Sequence, residues 1–327
     1  MPITNQILEN LYDHDRWWSL EELARVAGVG AIQIDRALGE LGKRGHRLEF
    51  HPARGIRLGR PPALDNQLIE RDLGTVRIGR HVLCFPAVDS TNDTAFQAAR
   101  QAGSDGLVVL AEAQKQGRGR RGRHWLSPPG ANILMSALVK DPRVALVHES
   151  LTVAAGLAVA EGIEQALPHG VMCRLKWPND VLLEGRKFAG ILVERHPAGR
   201  GANWVIGMGI NVNAQPPRSD LALPATSLAA AVGEQLDRIP IARAVLRRLD
   251  AWVLLLSSAA GAAAAVAKIR TGWAARCGML NEWHTIRAGR RHITGRVVDI
   301  DPVDGLVLLT DAGAHVRVLG REATVVE

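Results

Sequence analysis

Gln114-Lys115-Gln116-Gly117-Arg118-Gly119-Arg120-Arg121-Gly122-Arg123-His124-Trp125 packs three glycines and five Lys or Arg into twelve residues. No acidic residue occurs from Ala113 to Val139, so nothing nearby in the chain neutralises these charges. Glycines let backbone N–H groups converge on phosphate oxygens, and arginines add bidentate contacts, so the segment is built to meet an anion. Alone it leaves nucleotide chemistry, nucleic-acid contact and a plain flexible basic loop all open.

The loop sits between two apolar runs, Val108 to Glu112 and Ile133 to Val139, that read as strands. Further strands are expected at Val82 to Phe85, Arg174 to Trp177, Phe188 to Glu194 and Trp204 to Val212, and helices at Thr94 to Gln101, Leu151 to Leu167 and Ile241 to Leu256. This is the pattern of a mixed α/β body. Two more polar clusters lie on it. Lys176-Trp177-Pro178-Asn179-Asp180, followed by Lys187-Phe188-Ala189-Gly190-Ile191-Leu192-Val193-Glu194, puts a cation and a carboxylate on one rim of a sheet, or makes a solvated turn with a strand-end Lys. Asp89-Ser90-Thr91-Asn92-Asp93-Thr94 supplies hydroxyls and an amide at a helix start, which by itself is an N-cap. Standard motifs are missing: there is no GxxxxGK[ST], Gly207-Met208-Gly209 lacks the third glycine of a dinucleotide fingerprint, and neither GxSxG nor HExxH occurs.

The first 60 residues read as a separate unit of two short helices in a helix-turn-helix and a hairpin. Ser19 and Glu22 have capping-box spacing, Gly28 ends the first helix, and Ile32, Ile34, Ala37, Leu38 and Leu41 give the second its apolar side. Two strands around Pro52-Ala53-Arg54-Gly55 would form a wing. Gln33 and Arg36 are the candidate base readers, and Lys43, Arg44 and Arg54 the candidate phosphate contacts; use of the unit for dimerisation instead stays open. Gly59-Arg60-Pro61-Pro62 marks the first boundary, and the β-rich runs after Gly278 (Thr285 to Ile286, His292 to Asp299, Leu306 to Thr310, His315 to Leu319) indicate a small all-β barrel. With 47% hydrophobic and 22% charged residues the chain is too apolar for disorder, and a net charge of +7 favours anionic partners. Cys84, Cys173 and Cys277 lie far apart and nowhere in CxxC spacing, which points to no disulfide framework, no zinc site and a reducing cytoplasm. The start of the chain lacks an apolar signal region, and Ala251 to Ala267, long but mostly Ala, reads as a packed helix rather than a membrane span.

In combination, Ser90-Thr91-Asn92, Gln114 with Gly117 to Trp125, Lys176 to Asp180, Lys187 to Glu194 and Gly207 to Asn213 resemble biotin-protein ligase, in the bifunctional form that doubles as biotin-operon repressor. The resemblance implies a multi-domain α+β chain: a winged helix-turn-helix over 1–62, a mixed α/β catalytic domain of the biotin/lipoate ligase type over 63–276, and an SH3-like β-barrel over 277–327. It implies biotin and ATP as substrates, with Mg²⁺ carried by the ATP and no direct protein metal site. The carboxylate of biotin would be activated as biotinyl-5′-adenylate and passed to a lysine of a biotin carboxyl carrier protein. By carry-over, Lys187, Arg118, Arg120 and Asp180 are catalytic. Ser90, Thr91, Asn92, Gln114, Gly119, Trp125, Gly190 and Ile191 hold biotin, and Arg121, Lys176, Asn179 and Asn211 meet the nucleotide. The same resemblance implies operator DNA and a ligand-promoted homodimer, with the 115–124 loop mobile until it folds over the adenylate.

Ala214 to Pro224 carries Pro216-Pro217 and no aromatic, so it names no residue to stack on adenine. Two rival functions remain: a lipoate or octanoate ligase of the same architecture, and a ligand-sensing DNA-binding regulator without turnover. Ser90-Thr91-Asn92 argues for biotin over the first, and retention of Lys187, Arg118 and Arg120 argues against the second.

Overall fold

The computed structural model describes residues 1–140, 148–167, 170–198, 201–216, 224–258, 261–301, 305–320 and 323–326. The chain opens with α1 (Ile3–Asp13), α2 (Leu20–Ala27) and α3 (Ala31–Lys43), followed by the hairpin β1 (Leu48–His51) and β2 (Gly55–Leu58). The capping box forms as the spacing predicts. Ser19 Oγ accepts from the Glu22 amide at 3.1 Å, Glu22 Oε2 accepts from the Ser19 amide at 2.7 Å, and Gly28 closes α2 at φ 65°. Helix α1, which the sequence reading lacks, buries Ile7, Leu8 and Leu11. Gly55 is obligatory, because a Cβ there would lie 2.0 Å from the Trp18 carbonyl oxygen.

The unit is not isolated from the rest of the chain. One connected core of buried side chains runs from Ile7 and Leu11 through Leu64 and Leu68 to Ile286 and Val318. Polar links run beside it: Tyr12 donates to Asp237 at 2.8 Å, and Arg44 donates to Asp65 at 2.6 Å.

Seven strands make the central sheet: β3 (Val82–Phe85), β4 (Val108–Ala111), β5 (Ile133–Lys140), β6 (Arg174–Lys176), β7 (Asp180–Leu183), β8 (Arg186–Ala198) and β9 (Gly201–Ile210). Their order is β3-β4-β5-β9-β8-β7-β6, with β3 and β4 parallel and every other neighbour antiparallel. Strand β7 is new relative to the sequence reading: Pro178 and Asn179 do turn, but Asp180 already pairs with Lys176. The remaining helices are α4 (Asn66–Glu70), α5 (Thr91–Ala98), α6 (His148–Ala166), α7 (Leu228–Val232), α8 (Arg238–Ser257) and α9 (Ala262–Arg276). Helix α5 starts three residues before the expected Thr94, because Ser90 is the extended residue at its head.

Helices α6 and α8 pack closely where Gly162, which has no side chain, lies against Val245; a Cβ at Gly162 would sit 2.7 Å from the Val245 Cα. Trp273 of α9 is fully buried and donates from Nε1 to the Val153 carbonyl at 2.7 Å. The expected single helix over Ala251 to Ala267 is two helices, broken between Ser257 and Ala262. No helix of the described residues is long and apolar enough to cross a membrane.

The C-terminal unit comprises β10 (Trp283–Ala288), β11 (Arg291–Asp301), β12 (Gly305–Leu309), β13 (His315–Val318) and β14 (Ala323–Val326), all antiparallel in the order β13-β12-β11-β10-β14. The expected SH3-like barrel is not closed: β13 and β14 stay at opposite edges, with no pairing between them among the described residues. A carbonyl of β14, that of Ala323, is instead taken by Arg120 of the basic loop at 3.2 Å.

Candidate functional site

Three glycines, Gly190, Gly207 and Gly209, leave the sheet without side chains where the site lies. Gly190 of β8 pairs with Gly209 of β9, and a Cβ on Gly209 would come within 2.4 Å of the Trp125 ring. A Cβ on Gly207 would come equally close, 2.4 Å, to Asn92 Oδ1. Side chains here would therefore evict the two residues that lie on the strands. Above this floor is a cavity of about 770 Å³. All the residues assigned by resemblance to catalysis, biotin and nucleotide line it: Ser90, Thr91, Asn92, Gln114, Arg118 to Arg121, Trp125, Lys176, Asn179, Asp180, Lys187, Gly190, Ile191 and Asn211. They come from α5, the basic loop, the β6-β7 turn, β8 and the end of β9, which the sheet order gathers at one place.

One end of the cavity is a buried polar network. Gln114 Oε1 accepts from the Thr91 amide at 2.7 Å and from Thr91 Oγ1 at 2.9 Å, so its Nε2 amine is the donor Gln114 has left to offer. Asn92 gives Nδ2 to Glu194 Oε2 at 2.6 Å, while its Oδ1 lies 2.6 Å from Ser136 Oγ. Ser136 Oγ is also 2.7 Å from Thr91 Oγ1.

The other end is cationic. Lys187 Nζ lies 2.5 Å from Asp180 Oδ1 and 5.6 Å from the centroid of the Trp125 ring. Asn211 is buried; its Nδ2 donates to the Thr226 carbonyl at 3.2 Å, and its Oδ1 has no partner. Trp125 Nε1 is likewise buried without a partner. Buried polar atoms left unsatisfied cost free energy, and Trp125 Nε1 faces the backbone of Gly209 in the sheet floor.

The basic loop is a narrow hairpin. Gly119 N–H donates to the Arg123 carbonyl at 2.7 Å, Trp125 N–H to the Gly117 carbonyl at 2.9 Å, and a single 3-10 turn at Arg120 to Gly122 carries Arg121 at φ 59°. Its charges find partners from distant segments. Arg118 makes a fork with Asp93, Nη1 to Oδ2 at 2.6 Å and Nη2 to Oδ1 at 2.5 Å, and gives Nε and Nη2 to Glu194 at 3.2 and 3.1 Å. This pairing lowers the Asp93 pKa and raises that of Arg118, against the opposing effect of burial in each case. Arg120 donates to Asn179 Oδ1 at 3.1 Å and to the Gly320 carbonyl. Burial, with Arg287 and Arg123 nearby, lowers the Arg121 pKa.

Asp93, Glu194 and Ser136 are the site residues that the sequence reading does not single out. Asp93 and Glu194 sit inside quoted motifs, but 76 residues separate Glu194 from Arg118. Ser136 is a lone hydroxyl in an otherwise apolar strand.

The N-terminal candidates are separate from this cavity. Arg36 and Arg54 are exposed, Lys43 pairs with Glu40 at 2.7 Å, and Gln33 caps its own helix through the Gly30 amide. Arg44 turns inward to Asn5 and Asp65. Most of the Ala214 to Pro224 segment, residues 217–223, lies outside the described residues. No group of three or more His, Cys, Asp or Glu that could hold a metal occurs among the described residues.

Comparison with known proteins agrees with this geometry. Residues 84–211 match the model of the biotin/lipoate A/B protein ligase family. The bifunctional ligase/repressor BirA of Bacillus subtilis is 34% identical over 230 residues, covering 69% of this chain and 70% of that protein. The protein of the same name from Escherichia coli is 32% identical over 295 residues, covering 89% and 88%. The biotin protein ligase of Aquifex aeolicus, solved in complex with biotin and ATP, superposes with a TM-score of 0.63 at 27% identity, covering 75% of this chain and 98% of that one. The chain belongs to the biotin/lipoate A/B protein ligase family.

Proposed function

We propose that the protein is a biotin protein ligase that also acts as a biotin-responsive repressor. The observation that carries the first part is the cavity's division into a buried polar end and a cationic end. At the polar end an acceptor on Asn92, an amine donor on Gln114 and the hydroxyls of Ser90 and Thr91 complement a cyclic urea, which has two N–H donors and one carbonyl. A dithiolane or alkyl chain would leave these groups unpaired, at about 1–3 kcal/mol each, which disfavours lipoate and octanoate.

At the cationic end a carboxylate must meet the triphosphate of ATP, and Lys187 and Arg120 are the groups that reduce the repulsion. The carboxylate oxygen bonds to the α-phosphorus, the bond from that phosphorus to the β-bridging oxygen breaks, and pyrophosphate leaves. The ε-amine of a carrier lysine then bonds to the acyl carbon, AMP leaves, and the amine gives up a proton. Asp180 is the carboxylate suited to orient that amine. Asp180 and Asn211 are the residues that would hold the Mg²⁺ of MgATP, which would supply charge neutralisation at the phosphates. Arg118, already compensated by Asp93 and Glu194, holds the loop rather than the incoming anion. The acceptor is a biotin carboxyl carrier protein, and three cysteines that stay free thiols suit a cytoplasmic enzyme. Biotin-dependent exchange of labelled pyrophosphate into ATP, with lipoate and octanoate in parallel, tests this reading. Exchange with biotin alone supports it; exchange only with a control acid, or with none, overturns it.

The repressor role is supported by the names of the Bacillus and Escherichia relatives and by the capped helix pair with its hairpin. Exposed Arg36 and Arg54 are the contacts to DNA, and adenylate-promoted dimerisation would bring two such units together. Binding of operator-region DNA, followed by anisotropy with and without biotin and ATP, tests it.

A further inference from the structure

Two residues outside the cavity wall decide which way Asn92 presents its amide. Glu194 is an ion-paired carboxylate, which only accepts hydrogen bonds, so the Asn92 atom 2.6 Å from its Oε2 has to be Nδ2. On the other side, Ser136 Oγ is completely buried on β5 and lies 2.6 Å from Asn92 Oδ1. Neither Ser136 nor Glu194 is among the residues lining the cavity. Asn92 is buried as well, with its amide over the bare backbone of Gly207.

From this arrangement we infer that Ser136 and Glu194 are positioning residues that set the specificity of the head-group site, acting through Asn92. With Nδ2 committed to Glu194, Oδ1 is the atom Asn92 shows to a ligand, and it fits a ligand N–H. Reversing the amide would set an N–H against an N–H. Removing the Ser136 hydroxyl leaves Oδ1 without its protein donor and frees the amide to swing. The inference rests on the biotin ligase reading and extends it to residues that touch no ligand atom. It also accounts for a lone buried hydroxyl in the otherwise apolar run of β5 from Ile133 to Val139.

The experiment uses the full chain with biotin and ATP. Ser136→Ala, Glu194→Gln and Asn92→Ala are compared singly, and the first two are each combined with Asn92→Ala. Glu194→Gln keeps the shape but removes the charge: Oε2 accepts from both Asn92 Nδ2 and Arg118 Nη2 and Oε1 from Arg118 Nε, so the single neutral oxygen of the variant cannot serve every donor and its hold on Asn92 Nδ2 weakens. Both single variants should raise the KM for biotin roughly tenfold, leave the KM for ATP within about twofold, and add nothing when Asn92 is already Ala. Additive effects in the double variants would show action through Thr91 or Arg118 and overturn the inference, as would an unchanged KM for biotin or an equal rise for ATP. Thermal unfolding checks that each variant folds, and if Glu194→Gln does not, Ser136→Ala and its double variant decide alone. Failure of the unmodified protein to exchange pyrophosphate with biotin would count against the ligase reading itself, whereas normal exchange with insensitive variants would count only against the positioning role.

Discussion

Nζ of Lys187 stands 2.5 Å from Oδ1 of Asp180, and both side chains line the cavity. The β7-β8 hairpin holds them there, with Asp180 opposite Gly190 and Lys187 opposite Leu182. A cation fixed before the substrate arrives costs little reorganisation when negative charge builds up in the reaction. Lys187→Ala should therefore lower biotin-dependent pyrophosphate exchange by ~10²–10³, with only a small fall in melting temperature, since the pairing with Asp180 is lost but Lys187 lines the cavity and not the core. Turnover at the parent rate in that variant would remove Lys187 from the chemistry.

The fork between Arg118 and Asp93 makes the loop sensitive to acid. Its hydrogen bonds hold the Asp93 carboxyl below the usual range, burial opposing. A carboxylate with a lowered folded-state pKa stabilises the fold above its unfolded pKa, near 4, and that contribution is lost as pH falls through the folded value. Amide exchange over residues 117–125, corrected for its intrinsic pH dependence, should show protection that persists from neutral pH down to about pH 4 and is lost only below it, as the lowered Asp93 carboxyl takes up its proton. In Arg118→Gln the protection should already be weak at pH 7; equal protection in both proteins would mean that the fork does not hold the loop.

The glycine floor gives a sharper steric prediction. A methyl group at position 209 would sit 2.4 Å from the Trp125 ring, so Gly209→Ala must push the indole off the sheet. Exchange should fall at least tenfold, and the overpacking should cost about 1–3 kcal/mol of stability. Gly39→Ala is the control: nothing lies within 4 Å of a Cβ there, in the middle of α3, and the change should stabilise the helix by about 0.5–1 kcal/mol. If Gly209→Ala turns over like the parent, Trp125 does not need its place on the floor.

How much of this was legible beforehand depended on distance along the chain. The capping box at Ser19 and Glu22 needs only three residues to declare itself, and it forms as spaced. The cavity residues come in short runs whose chemistry is local, so Gln114 to Trp125 and Lys176 to Asp180 could be singled out before any fold was known. The partners of Arg118 could not, because Glu194 reaches it only through the pairing of β8 with β9 and β9 with β5. Ser136 gives almost no signal, since one hydroxyl does not disturb the apolar pattern of β5. Strand β7 stayed hidden because Asp180 belongs at once to a turn and to a ladder. Short strands in the sequence suggest a barrel, but closure depends on whether two edges meet, and among the described residues β13 and β14 do not pair.

The buried pair of Arg238 and Glu112 ties residues 62–64 to the central sheet and to the segment after β9. Arg238 is 2% exposed and gives Nη1 to Glu112 Oε2 at 2.6 Å and to the Asn132 carbonyl at 3.1 Å, while Nη2 reaches Glu112 Oε1 at 3.0 Å and the Pro62 carbonyl at 3.2 Å. Glu112 Oε1 also accepts from the Leu64 amide at 2.6 Å, and Asn132 Oδ1 accepts from the amides of Val212, Asn213 and Ala214. Removing the guanidinium alone leaves a carboxylate buried against uncharged groups, so Arg238→Met should cost about 3–5 kcal/mol and lower the melting temperature by on the order of 10 °C. Adding Glu112→Gln removes the stranded charge and should recover part of that loss. The recovery separates a charge penalty from simple loss of packing: a double variant that melts no higher than Arg238→Met would assign the whole effect to packing around α8, whereas partial recovery shows that the ion pair itself holds residues 62–64 to the strand leading into the cavity.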